Sequence, residues 1–96
     1  MAYLRIMSYT ADPSDAELLL ARRAALIAAV RAKLPGLVET RMVRVDDRTW
    51  TDSWRWESKA TLEAAVAAAH SMPETEPAFA LVKDITSQEG EIVDER

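Results

Sequence analysis

The sequence predicts an α+β fold, a four-stranded antiparallel sheet with two helices on one of its faces. Three observations carry that expectation. Segments with strand alternation and segments with helical periodicity succeed one another in the order strand, helix, strand, strand, helix, strand. Turn and cap residues punctuate them at Asp12-Pro13, Pro35-Gly36, Asp46-Asp47-Arg48 and Ser58. The chain has 96 residues, the size of one domain spanning 1–96. That order of elements is the split βαβ of the ferredoxin-like fold.

Residues Tyr3 to Thr10 read as the first strand, with Leu4, Ile6 and Ser8 on one face and Tyr3, Arg5, Met7 and Tyr9 on the other. Both faces are bulky, as in a strand covered on both sides. Asp12-Pro13 stops it, and Ser14-Asp-Ala-Glu17 has the pattern of a capping box. The helix that follows runs to Leu34, with Ala16, Leu20, Ile27, Val30 and Leu34 as its apolar stripe. Arg23 falls inside that stripe, either snorkelling to water or facing the space between helix and sheet.

Leu37 to Val45 and Thr49 to Glu57 form an antiparallel hairpin about Asp46-Asp47-Arg48. Ser58 caps a helix from Lys59 to Ser71, on which Leu62, Val66, Ala69 and His70 share a face. Pro77 opens a short helix carrying Phe79 and Val82, and the last strand spans Ile85 to Val93, made irregular by Gly90. Asp94-Glu95-Arg96 is a solvated tail.

Composition narrows the function classes. The formal net charge is -4, and the basic residues form no run, so a nucleic-acid footprint is absent. No cysteine is present, which excludes disulfides, thiolate metal sites and cysteine nucleophiles. One histidine among scattered carboxylates does not supply the convergent ligands of a metal site, and two glycines cannot form a phosphate-binding loop. No signal segment or membrane-spanning apolar run is read, so a cytoplasmic protein with no membrane partner is expected.

The chemically informative stretch is Arg48 to Ser58, which holds all three tryptophans. Alternation places Trp50, Asp52, Trp54 and Trp56 on one face and Thr51, Ser53, Arg55 and Glu57 on the other. Three indoles on one face either fill a core or line a cavity for something flat. His70 is inward on the second helix, where an imidazole could serve as a base or pack with a hydrogen bond. Asp52, desolvated beside Trp50 and Trp54, could compete for the base role or pair with Arg41 or Arg44 across the hairpin. Arg23 or Arg55 could hold a substrate anion. The remaining face, read as Tyr3, Arg5, Met7 and Tyr9 with Thr51, Ser53 and Arg55, calls for a second copy packed sheet to sheet, with Tyr3 and Tyr9 in the interface.

Trp54-Arg-Trp56-Glu-Ser58-Lys-Ala-Thr-Leu62 resembles the strand-to-helix segment of the antibiotic biosynthesis monooxygenase-like family, and the order of elements is compatible across nearly the whole chain. The resemblance implies a homodimer whose two sheets form an α/β barrel, with a pocket between sheet and helices in each subunit. It implies a cofactor-independent monooxygenase acting on a hydroxylated polycyclic aromatic or quinol of the polyketide type. In that reading no cofactor or metal is needed; His70 and Asp52 are the candidate catalytic groups, and Trp50, Trp54, Trp56, Arg23 and Phe79 bind substrate. A dimer that binds a small ligand without changing it is the alternative, and haem degradation is a third. One departure stands out: the sequence contains no asparagine, whereas the anthrone-oxidising and haem-degrading members use one in the pocket. Ser8, Thr10 or Asp52 is the polar group expected in its place.

Overall fold

A computed structural model describes all residues from Met1 to Arg96. The strands are β1 (Tyr3–Ala11), β2 (Leu37–Arg44), β3 (Thr49–Trp56) and β4 (Val82–Glu91), and the helices are α1 (Ala16–Lys33), α2 (Lys59–Ala69) and α3 (Thr75–Phe79). The strands form one antiparallel sheet in the order β2-β3-β1-β4. The two strands that open the βαβ halves, β1 and β3, are thus central, and the helices lie over one face.

Register decides which side chains the helices cover. Tyr3 pairs with Trp56, Arg5 with Trp54, Met7 with Asp52 and Tyr9 with Trp50. Directly paired residues of an antiparallel ladder point to the same side. Tyr3, Arg5, Met7 and Tyr9 therefore share the tryptophan face beneath the helices. The expectation that they join Thr51, Ser53 and Arg55 on an interface is corrected: Met7 and Tyr9 are buried in the core. The outer face consists of Leu4, Ile6 and Ser8 with Thr51, Ser53 and Arg55, flanked by Arg41 and Val43 of β2.

Helix α1 presents Leu19, Leu26, Ile27 and Val30 to the core. Leu20 is 44% exposed, so the stripe runs through Leu19 instead. The entry is also different from the capping box expected at Ser14. Asp12 caps a short 3-10 turn, Pro13–Asp15, by accepting from the Ser14 backbone N–H at 2.9 Å, and α1 continues from that turn. A reciprocal box forms at α2, where the Ser58 side chain accepts from the Thr61 backbone N–H at 3.1 Å and Thr61 Oγ1 accepts from the Ser58 N–H at 3.2 Å. The turn before β2 brings Gly36 against it. A Cβ on Gly36 would meet the Thr61 side chain at 2.5 Å, and its φ of 103° lies where only glycine sits easily.

Strand β4 starts at Val82, earlier than the sequence suggests, because Val82 and Lys83 pair with Ala11 and Thr10 of β1. Its irregularity is not at Gly90, which pairs regularly with Leu4, but at Asp84. The register shifts between Ser8 and Thr10, and Asp84 absorbs the extra residue at φ 54°. No helix is long and apolar enough to cross a membrane.

Candidate functional site

The helix-covered face carries two different environments. The first centres on Asp52, which is 3% exposed. Its carboxylate accepts from Arg23 Nη2 at 2.9 Å and Arg23 Nε at 3.1 Å, from the Tyr9 hydroxyl at 2.9 Å and from Trp54 Nε1 at 3.0 Å. Arg23 reaches it from α1, so its guanidinium faces the space between helix and sheet. The cross-hairpin pairing of Asp52 with Arg41 or Arg44 is not formed. Arg41 instead bonds Glu39 on the outer face, and the Arg44 guanidinium carbon stacks 4.5 Å over the Trp50 ring. Burial, and then the neighbouring Asp52 carboxylate, push the Tyr9 phenol well above its ordinary value, so it remains a neutral donor.

The second environment is a cavity of about 280 Å³ between β1, β3 and the helices, open to solvent. That is close to the lower end of small-molecule sites, which run from about 300 to 1,000 Å³. Trp54 and Trp56 wall it, stacked with centroids 6.4 Å apart and planes 21° from parallel. Leu62 and Val66 of α2 and Phe79 of α3 close the other side. Only Arg5, His70 and Thr75 among its lining residues are polar or charged. The Thr75 hydroxyl donates to the Ala69 carbonyl at 2.7 Å, which ties the end of α2 to α3. Trp56 Nε1, shielded from water, has no hydrogen-bond partner. Leaving such a donor unmatched costs about 1–3 kcal/mol.

The structure thus brings Trp54, Trp56, Phe79 and His70 to one cavity. It places Trp50 outside it, beneath Arg44, and commits Arg23 and Asp52 to the buried network beside it. His70 is not inward: it follows the last turn of α2, exposed, with one side on the cavity. Arg55 lies on the outer face, bonded to Glu95 by two contacts of 2.7 Å. Ser8 and Thr10 also point away from the cavity, paired with Thr51 and Thr49. Neither supplies it with a polar group. Arg5 was not singled out from the sequence as a site residue, yet it lines the cavity. Its alternation with Met7 and Tyr9, once registered against Trp54, was the signal that could have found it. No three metal-ligating side chains converge anywhere.

No protein-family model matches the sequence, and no curated protein matches it. Solved structures do match in shape. A variant of SnoaB, a cofactor-independent oxygenase from Streptomyces nogalater, superimposes with a TM-score of 0.75 at 19% identity, over 98% of this chain and 95% of that one. A dimeric ferredoxin-like protein from an uncultured marine organism gives 0.76 at 16% identity, over 99% and 98%. A protein from Nitrosomonas europaea, provisionally named an antibiotic biosynthesis monooxygenase, gives 0.77 at 9% identity, over 96% and 90%. At such identities the likeness speaks for architecture, and with the strand order above it establishes that this chain adopts the α+β ferredoxin-like fold of these proteins.

Proposed function

We propose that the protein is a small oxygenase that takes a hydroxylated polycyclic aromatic or quinol into the Trp54–Trp56 cavity and oxidises it with dioxygen. The observation that carries this is the open, apolar cavity walled by two stacked indoles with a single imidazole at its mouth. A flat ring system fits between the indoles and the Phe79 side, and the bound ring displaces water that would intercept a reactive intermediate. His70 accepts the proton that converts the phenol or enol to its anion. The anion passes one electron to dioxygen, the radical pair combines at a ring C–H carbon to a peroxide that takes the proton back from His70, and loss of water leaves a carbonyl at that carbon. The C–H and O–H hydrogens of the substrate thus leave with one oxygen of O2 as H2O, and the other oxygen stays in the new C=O. Fold similarity to SnoaB, itself a cofactor-independent oxygenase, supports this reading. Asp52, saturated by Arg23, Tyr9 and Trp54, positions the Trp54 indole and is not the base.

The outer face is the surface for a second copy. Leu4 and Ile6 are half-buried there, Val43 is 48% exposed, and a sheet face of this size needs a cover. The dimeric neighbour of the same fold supports a homodimer. Sedimentation at micromolar concentration should give twice the monomer mass, and a monomer at all concentrations overturns the assignment.

A second reading is ligand binding without turnover, favoured by the exposure of His70 and by the engagement of the buried carboxylate elsewhere. Oxygen uptake with an anthrone separates the two. The oxygenase reading requires uptake that falls roughly 100-fold or more in His70→Ala. Saturable quenching of tryptophan fluorescence with no uptake by either protein selects the binding reading.

A further inference from the structure

We infer that the cavity takes its aromatic ligand as an anion, with the negative oxygen seated on Arg5. This rests on the reading of the Trp54–Trp56 cavity as the ligand site and assigns the group that selects the ligand's charge. Arg5 stands in mid-sheet on β1, registered against Trp54 of β3 on one side and Glu89 of β4 on the other. It is the one permanently charged group on the cavity wall, and no carboxylate lines the cavity.

Arg5 is only partly engaged. Its single side-chain hydrogen bond runs from Nη1 to Glu89 Oε2. A guanidinium offers five N–H donors in a planar fork, so the remaining ones are open to a second oxygen acceptor. Glu89 is the more exposed partner, with 37% of its side chain accessible against 27% for Arg5, so it holds the guanidinium from the solvent side. Charge-assisted hydrogen bonds of this kind are stronger than neutral ones, and an apolar surround strengthens them further. The other arginines considered as anion holders are spent elsewhere, Arg23 on Asp52 and Arg55 on Glu95.

The ligand class is therefore a fused aromatic carrying a carboxylate, or a hydroxyl that becomes the anion once His70 has taken its proton in the cavity. The ring lies against Trp54 and Trp56 and the anionic oxygen shares Arg5 with Glu89. A neutral analogue of the same shape gains the ring contacts and forgoes the charge contact. Glu89 competes for the same guanidinium, so removing its charge should tighten the ligand.

The test is tryptophan-fluorescence titration with 1-hydroxy-2-naphthoate and with its methyl ester, at low salt and at high salt. The expected result is at least tenfold tighter binding of the acid at low salt, a preference that shrinks as salt rises. Arg5→Gln should abolish the preference of acid over ester, Arg5→Lys should retain part of it, and Glu89→Gln should strengthen acid binding several-fold. Equal binding of acid and ester by the parent protein, or an acid preference that survives Arg5→Gln, overturns the assignment while the cavity reading stands. If neither compound binds the parent protein, the cavity reading falls and the assignment falls with it. Should Arg5→Gln fail to fold, Glu89→Gln decides, because an unchanged acid affinity in that variant is incompatible with a shared guanidinium.

Discussion

At one end of the helix-covered sheet face, Arg23, Tyr9 and Trp54 all donate to the Asp52 carboxylate, and only a small void of about 20 Å³ remains beside them. A few residues along the same strands, Trp56 keeps an unmatched N–H and the helices stand off far enough to leave an open cavity. The two ends use the same ingredients, aromatic rings with a few polar groups, to opposite effect. Matched donors and acceptors make the first end a rigid anchor. The unmatched donor and missing packing at the second are costs that a stable fold does not need. Trp54 belongs to both: its N–H is held by Asp52 while its ring faces the cavity, so the anchor orients the cavity wall.

The largest break in this contrast should come from Asp52→Ala. It leaves the Arg23 charge buried and unpaired, and a loss of about 3–5 kcal/mol in chemical denaturation is expected; a loss under 1 kcal/mol would mean that this end is not an anchor. Tyr9→Phe removes one hydrogen bond to an ionised group, with an expected loss of about 1.5–3 kcal/mol.

The Tyr9 substitution has a pH signature as well. The Tyr9 phenol is raised in the folded protein, so the neutral form is favoured by folding. That stability is fully present below the unfolded phenol value of about 10 and is lost as pH rises through the folded value. The parent protein should therefore lose stability more steeply above about pH 10 than Tyr9→Phe, and parallel alkaline unfolding curves would rule out the buried phenol as the cause.

Smaller effects sharpen the other end. Gly36→Ala forces a Cβ into Thr61 at a positive φ and should cost more than about 1 kcal/mol, read as a lower thermal midpoint with weakened helix signal from α2. Trp56→Phe is the smallest. Removing an unmatched N–H offsets some lost ring contact, so stability should stay within about 1 kcal/mol of the parent while aromatic ligand affinity drops. A large destabilisation in that variant would class Trp56 with the anchor.

Much of this was legible in the chain. The element order, the hairpin about Asp46-Asp47-Arg48, the Ser58 cap and the common face of Trp50, Asp52, Trp54 and Trp56 all follow from local periodicity, because side-chain direction along one strand or helix is set by backbone geometry alone. Periodicity was less informative on α1, whose alanine-rich pattern did not separate Leu19 from Leu20. Local pattern also misplaced the irregularity of β4, where pairing to β1 put the strain on Asp84 and left Gly90 regular.

By itself the sequence determined which residues share a face within each strand, and so that an aromatic face exists. Tertiary structure decided which faces are joined. Whether Tyr9 and Arg5 lie with the tryptophans or opposite them depends on the register of β1 against β3, a long-range pairing that one-residue slippage would invert. Only that pairing puts Tyr9 on Asp52 and Arg5 at the cavity wall, while the packing of α1 over the sheet brings Arg23 to the same carboxylate. The division between a closed anchor and an open pocket depends on where α1, α2 and α3 settle over the sheet, which is fixed by three-dimensional packing and not by the pattern along any one segment.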